Sequence, residues 1–434
     1  MSKPKVKIVI GANYGDEGKG LATDYFTQKA KGPVLNVLYN GGPQRGHTVE
    51  HKNGLRHIFH HFGSGFFSGA STYFDENFLV DPIKFNIEHC ELLDQARYFT
   101  DMTEEEAIKK SICFCHPNCR VITPWDAMAN QILAKHKEKH NTCGCGIWTT
   151  IERYNGHIDT IPNSMHSLYF RDLIKLDDMG IQVELMNLSL NWFYWLAKQI
   201  TGKNYYELSL EDRENKSFLG DYAGIFLNPS LRDHFIYDLR QMQKRTIIAN
   251  LDEVTPKFET IIFEGGQGLA IGMQNTLKCN TSTPSFTGSA LPIMTLIDEY
   301  GNRLTENIEI CYVTRTYLTR HGDGYLPNAC SREGLGINYQ DLTNQSNQFQ
   351  GKLRYAPLIW KELYMRISQD LNQLAIKQHF PDTERTIMVT HVSDDGQLDP
   401  KEIVKFDDCY VSKSPYSEEV EVWHSYEEKS GQLT

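Results

Sequence analysis

The sequence predicts an α/β fold: a large, mostly parallel central sheet flanked by helices, with a helical insertion over residues 185–260. Two observations carry this. Short apolar runs alternate with segments of helical periodicity, the pattern of parallel strands joined by crossover helices. Three of those runs end in glycine-rich turns, and in parallel sheets ligands gather beyond the carboxyl ends of the strands.

Lys5–Ile10 (KVKIVI) reads as a buried strand that enters a glycine loop, Gly11–Gly20, and then a helix over 21–29. A second strand, Val34–Tyr39, runs into GGPQRGHT. Phe78–Val80 is a third, after which Asp81-Pro82 opens a helix over 83–93. Cys119–Ile122 is read as a strand followed by a helix over 127–137. Within 185–260 the apolar positions of NLSLNWFYWLAKQI fall three and four apart, the spacing of a helix face. Thr260–Phe263 (TIIF) is a strand closed by another glycine turn, and Ile308–Thr314 and Thr386–Val392 are later core strands. No internal repeat or low-complexity linker divides the chain. A single domain over 1–434 is expected, with the acidic tail over 416–434 flexible.

The 434 residues, 40% hydrophobic and 23% charged, are enough for a large core. A formal charge of -11 argues against nucleic acid or an anionic membrane surface as the main partner, but not against a nucleotide, whose phosphates backbone N–H groups can hold. The apolar run at the N-terminus is too short for a signal peptide, and no run of 18 apolar residues occurs, so a cytoplasmic protein is expected (host cytoplasm if viral). The ten cysteines are then reduced thiols.

The first loop, Gly11-Ala12-Asn13-Tyr14-Gly15-Asp16-Glu17-Gly18-Lys19-Gly20, suits phosphates: glycines let the backbone curl round an anion and Lys19 adds a mobile cation. It is not a Walker A sequence, because Gly20 follows Gly-Lys where Ser or Thr is required. Asp16 inside such a cradle makes sense if it binds Mg²⁺ or takes a proton from substrate; a plain glycine turn with a solvated Asp is the competing reading. In the second loop, Gly41–Thr48, His47 could polarise a phosphoryl oxygen or act as a general acid.

GDEGKG followed by GGPQRGHT resembles the signature of the adenylosuccinate synthetase family, a P-loop-related fold. The resemblance continues in Phe263-Glu264-Gly265-Gly266-Gln267-Gly268, in Thr281-Ser282-Thr283 and in Thr319–Pro327 (TRHGDGYLP). It runs from about Lys5 to about Pro415, with 185–260 matching only as generic helices. It implies a C–N ligase joining L-aspartate to C6 of a purine nucleotide at the expense of a nucleoside triphosphate. Asp16 would remove the N1 proton and contact Mg²⁺, His47 would stabilise the transferring phosphoryl group, and the Gly46 carbonyl would help hold Mg²⁺. The donor nucleotide would be held by Gly15, Glu17, Gly18, Lys19, Gly20 and Thr48, with Ser393, Asp394, Ser414 and Pro415 around its base. Asn40, Gln44, Arg45, Thr142, Cys143, Gln267 and Thr281 would join Asp16 on the acceptor nucleotide, and Gly351, Lys352, Leu353 and Arg354 would hold aspartate. A homodimer is implied, with an arginine crossing from the partner; Arg153 is the candidate.

Three departures bear on substrate. The family reads guanine of GTP with a Lys-x-Asp segment, where this chain has Thr390-His391-Val392-Ser393-Asp394, which favours ATP or dATP. The arginine-rich aspartate loop is reduced to Gly351–Arg354, and Lys does not replace Arg at a bidentate site. Arg45 stands where a small residue is usual. Together these resemble the phage branch, the succino-aminodeoxyadenylate synthases of phages with 2-aminoadenine DNA, which convert dGMP to N6-succino-2-amino-2'-deoxyadenylate. Retention of Asp16 keeps IMP with GTP as the alternative pair. A catalytically inactive nucleotide-binding regulator is a reading of another class, against which Asp16, Lys19, His47 and Gln267 stand together. Cys113, Cys115, His116 and Cys119 invite a zinc site, but their spacing is not that of two separated ligand pairs. Trp192–Trp195 is expected in a helix core.

Overall fold

The computed structural model describes residues 4–136, 142–161, 168–209, 221–272, 288–300, 308–322, 324–337, 343–344, 349, 351–372, 383–392, 398, 400–403 and 405–424. Among these, ten strands form one sheet: β1 (Lys5–Gly11), β2 (Val34–Leu38), β3 (Ser71–Phe74), β4 (Cys113–Cys115), β5 (Thr246–Ile248), β6 (Thr260–Gly268), β7 (Ile308–Arg315), β8 (Glu384–Thr390), β9 (Asp408–Val411) and β10 (Glu421–His424). Their order is β10-β9-β8-β7-β1-β6-β2-β3-β4-β5. Every neighbouring pair is parallel except β9 with β10.

β1 lies at the centre because it can be buried on both faces: Ile8, Val9 and Ile10 are fully buried, as strands covered by helices on both sides require. It pairs with β6 and β7 in register, Ile8 opposite both Phe263 and Ile310, and an irregularity between Val9 and Gly11 brings Gly11 opposite Gly268. Since these strands are parallel, the turns after β1, β2, β6, β7, β8 and β9 all emerge at one end of the sheet.

Helices follow the predicted rhythm. α1 (Lys19–Lys29) starts two residues earlier than the sequence pattern suggests, with Gly18 at φ 99° before its first turn. α2 (Pro82–Phe99) is capped by Asp81, whose carboxylate accepts from the Ile83 and Lys84 N–H groups at 3.0 and 3.3 Å. α3 (Pro124–His136) and α4 (Asp178–Thr201) pack together, and α5 (Pro229–Lys244) lies against α2 and α4. Trp192, Phe193 and Trp195 of α4 are buried among the helices, as expected for a core run.

Three expectations are corrected. Leu79–Val80 and Arg120–Val121 pair with each other in a separate two-stranded ribbon. The main sheet uses instead β3 and β4, short strands whose buried Tyr73, Phe74 and Cys115 carry no β-branched run to mark them. The helix-rich stretch is not wholly helical, because Thr246–Ile248 returns to pair with β4 at the sheet's edge. The acidic tail does not fray at 416: β10 adds antiparallel to β9, so the backbone groups of Glu421–His424 are paired despite the charges beside them. No helix among the described residues is long and apolar enough to cross a membrane.

Candidate functional site

The first loop folds round its own carboxylate. Glu17 Oε1 accepts from the N–H groups of Asn13 and Gly15 at 3.1 and 2.8 Å, while Oε2 takes the Lys19 ammonium at 2.7 Å. Burial works against the Glu17 charge, but Lys19 and the loop N–H groups outweigh it and hold the carboxyl below its ordinary range. A Cβ on Gly268 would stand 2.3 Å from the Asn13 carbonyl and 2.7 Å from Glu17 Oε1, so only glycine lets β6 approach the loop. Thr390, at the end of β8, ties the loop down by donating to the Glu17 carbonyl at 2.7 Å.

Asp16 projects from the left-handed region, φ 61°, where an L residue is uncommon. Arg315 Nε, at the end of β7, donates to its carbonyl at 2.5 Å and so pins that conformation. The carboxylate keeps 21% of its surface exposed and lies 3.5 Å from His321 Nε2. Burial pushes its pKa above the ordinary value, against the pull of His321, Arg315 and Lys19.

His47 begins a hairpin, His47–Glu50 against Arg56–Phe59. Its Nδ1 lies 2.5 Å from Glu264 Oε1, on β6. The same carboxylate receives Arg45 Nη2 at 3.1 Å, the Ser64 N–H at 3.0 Å and the Ser64 hydroxyl. Arg45, Glu264 and Ser64 are buried. Burial opposes the Glu264 charge, but Arg45, His47 and Ser64 prevail and draw its pKa to about 2. Burial, then the Arg45 charge, push His47 down to about 4 in spite of Glu264. At neutral pH an ionised Glu264 therefore accepts a hydrogen bond from the Nδ1–H of a neutral imidazole, and the Nε2 lone pair is left for the site.

The two loops meet. A Cβ on Gly20 would be 3.0 Å from both the His47 Cβ and the Thr48 carbonyl, and Lys19 is close enough to contribute to the shifts of both His47 and Asp16. Asp16 and His47 thus flank Lys19 at one end of the sheet. Gln44 and Gln267 converge over Gly41: a Cβ there would lie 2.5 Å from Gln44 Nε2 and 3.7 Å from Gln267 Nε2. Both amide atoms of Gln44 are buried without a hydrogen-bond partner among the described residues. A buried polar group left so costs roughly 1–3 kcal/mol, and a ligand is the economical way to satisfy it. Asn40 Oδ1 accepts from the Gly266 N–H at 2.7 Å, which holds the end of β6 to the second loop.

The other candidates fall round this centre. Thr142 donates to Asn130 Oδ1 at 2.6 Å, and the segment it begins reaches the second loop through Ile147, 2.9 Å from a Cβ on Gly42. Cys143 packs against the small cluster of Leu79, Ile122, Ile147 and Ile151. Leu353–Pro357 pairs antiparallel with Tyr317–His321, with Leu353 opposite His321 and Arg354 opposite Arg320, which carries Gly351–Arg354 towards Asp16. Thr48 shares a hydrogen bond with Thr343 at 2.8 Å. Ser414 and Pro415 follow β9, where Ser412 bonds the Ser414 carbonyl and the backbone of Val392. Gly46 stands between Arg45 and His47 at the start of the hairpin. Thr281, Ser393 and Asp394 lie outside the described residues.

Arg153 is corrected. It is fully buried, with Nε 2.9 Å and Nη2 2.8 Å from the Asp126 carboxylate and Nη2 2.8 Å from the Val121 carbonyl, so it cannot reach a partner subunit. No group of three or more His, Cys, Asp or Glu able to hold a metal occurs among the described residues. Cys113, Cys115 and Cys119 are instead buried thiols facing backbone carbonyls. Sequence reasoning passed over Glu264, Ser64, Arg315 and His321. Glu264 and His321 lay inside quoted motifs, and Arg315 was a charge at the end of a wholly buried strand, the one local signal available.

Fold and site together define an α/β protein whose glycine loops gather at the carboxyl ends of parallel strands, the arrangement of nucleotide-binding folds. Residues 8–160 match the family model for adenylosuccinate synthetase. The adenylosuccinate synthetase of Porphyromonas gingivalis is 36% identical over 149 residues, 34% of this chain and 32% of that protein. That of Pelodictyon phaeoclathratiforme is 24% identical over 326 residues, 74% of this chain and 63% of the relative, so the matched region spans less than two thirds of either relative's length. In fold, the fully ligated adenylosuccinate synthetase from Plasmodium falciparum superposes with a TM-score of 0.56 at 14% identity, covering 99% of this chain and 90% of that one. The succinoaminodeoxyadenylate synthetase of cyanophage S-2L does so with a TM-score of 0.51 at 13% identity, covering 98% and 96%. Over residues 8–160 the chain is similar to adenylosuccinate synthetases, and over nearly its whole length it shares the fold of one of them.

Proposed function

We propose that this protein is a C–N ligase that condenses L-aspartate with C6 of dGMP, driven by ATP or dATP, to give N6-succino-2-amino-2'-deoxyadenylate. The observation that carries the ligase reading is the meeting of Asp16, Lys19, a Glu264-oriented His47 and the unpartnered Gln44 amide at one end of the sheet. Asp16, its pKa raised by burial, is suited to take the N1 proton of the purine. The 6-oxygen then attacks the γ-phosphoryl group, which turns a poor leaving group into phosphate, and the aspartate amine displaces that phosphate from C6. Lys19 and His47 would balance the charge of the transferring group, and positioning with charge neutralisation supplies most of such catalysis.

Asp16 and the Gly46 carbonyl are hard oxygen groups that suit Mg²⁺, which typically rests on one or two carboxylates plus substrate phosphates. The ion, when bound, neutralises charge on the donor's phosphates. His47 gains a proton most readily once a triphosphate is beside it, because the anion offsets the burial and the Arg45 charge that hold it neutral. As imidazolium it donates from Nε2 to the phosphoryl oxygen while Nδ1 stays on Glu264.

The choice of dGMP rests on the reduced Gly351–Arg354 segment, on Arg45, and on the fold shared with a cyanophage enzyme solved with dGMP and dATP as energy donor. Retention of Asp16 supports the second reading, IMP with GTP. The test is phosphate release and succinylated product from aspartate with dGMP, GMP or IMP, each paired with ATP, dATP or GTP. Turnover on dGMP with an adenine donor, abolished in Asp16→Asn, is expected. Turnover confined to IMP with GTP overturns the acceptor assignment, and nucleotide binding without turnover on any pair overturns the ligase.

A further inference from the structure

At the margin of the acceptor-nucleotide candidates, two part-exposed thiols, Cys143 and Cys145, stand one glycine apart near a lysine. Lys84 Nζ lies 2.8 Å from Cys145 Sγ, which in turn lies 3.8 Å from the Cys143 carbonyl. Gly144, between them at φ 74°, makes the turn that brings the thiols together, and Gln131 holds its carbonyl at 2.9 Å. The surroundings are chemically asymmetric. The Cys143 thiol and the Lys84 ammonium draw Cys145 down to about 6, although burial and Asp81 oppose them. The Cys145 contact, with burial, pushes Cys143 well above its ordinary value. The Lys84 ammonium sits on Cys145, so it favours the thiolate there, which suits Cys145 to attack and leaves Cys143 to resolve.

We propose that Cys145 is an oxidative modification site for hydroperoxides, with Cys143 as its resolving thiol. The Cys145 thiolate attacks one oxygen of the peroxide: an S–O bond forms, the O–O bond breaks, and hydroxide (or alkoxide) leaves and is protonated by solvent. Cys143 then attacks the sulfenic sulfur, the S–S bond forms, and the hydroxyl leaves as water with the Cys143 proton. The two sulfurs lose two electrons and the peroxide gains them. A disulfide needs Cα atoms roughly 4.4–6.8 Å apart, which residues separated by one glycine in a turn are placed to meet. Cys113, Cys119 and Cys311 are buried with pKa values pushed up, so they are inert, while the exposed Cys90 and Cys330 serve as internal controls. This chemistry is independent of which nucleotide the protein acts on.

The test treats the reduced full-length protein with substoichiometric hydrogen peroxide, quenches with N-ethylmaleimide and reads each cysteine peptide by mass spectrometry. The peptide holding Cys143 and Cys145 should lose two hydrogens before Cys90 or Cys330 changes, reversibly with dithiothreitol. Cys143→Ser should instead accumulate a dimedone-reactive sulfenate at Cys145, and Lys84→Met should slow oxidation at least tenfold. Prior oxidation of Cys90 or Cys330 in the wild type overturns the proposal. So does Cys143→Ser protein, shown folded by circular dichroism, that traps no dimedone at Cys145.

Discussion

Replacing Glu264 by Gln removes one charge and almost no volume from the most heavily bonded carboxylate of the site. Glu264 accepts from Arg45, His47 and both polar groups of Ser64, with no solvent contact. Gln offers a donor where these neighbours also donate, and it strands the buried Arg45 guanidinium. Breaking a buried pair from one side costs about 3–5 kcal/mol. The native pKa, drawn from 4.5 to about 2, gives a similar figure, roughly 3 kcal/mol. Urea unfolding of wild type, Glu264→Gln, Arg45→Met and the double variant measures it. Glu264→Gln should lose about 3–5 kcal/mol, and the double variant should recover about 2 kcal/mol of this because no charge is then left unpaired. A loss under about 1 kcal/mol in the single variant, or a double variant less stable than Glu264→Gln, refutes the reasoning.

The same network predicts acid sensitivity. His47 and Glu264 both have folded pKa values below their ordinary ones, so each contributes stability above its unfolded pKa that is lost as pH falls, His47 between about 6.5 and 4 and Glu264 between about 4.5 and 2. Unfolding midpoints measured from pH 7 to 3 should fall more steeply below pH 6.5 in wild type than in a Glu264→Gln and His47→Gln double variant; parallel curves count against it. Triphosphate binding should take up a fraction of a proton near pH 6, visible as a buffer-dependent calorimetric enthalpy that His47→Gln abolishes. Gly268→Ala should disrupt the first loop, since its Cβ meets the Asn13 carbonyl at 2.3 Å; nucleotide affinity falling at least tenfold is expected, and unchanged affinity contradicts the packing. Asp126→Asn should destabilise by about 3–5 kcal/mol through the stranded Arg153, and a change below about 1 kcal/mol in urea unfolding would refute a buried pair there.

Much of the fold was legible because its signals are local. A glycine loop after an apolar strand, a capped helix after Asp81-Pro82 and an aromatic run at helical spacing each lie within a dozen residues, so pattern alone carries them. The short strands β3 and β4 escaped because three or four residues hold too little alternation to stand out. The strand Glu421–His424 within the tail escaped because its charges outweigh an alternation that matters only once β9 offers an edge.

By itself, the sequence determined the class of fold, the two loops at strand ends and the chemistry they could bring: a carboxylate, a lysine and an imidazole. Only the tertiary structure decided which groups act on them. His47 and Glu264 are 217 positions apart, Arg315 and Asp16 are 299, and Lys84 and Cys145 are 61. It likewise turned Arg153 inward onto Asp126. A charge in a sequence carries no record of its partner. Burial beside an opposite charge, or beside none, is what shifts its pKa and aims its protons, and burial is a property of the packed chain.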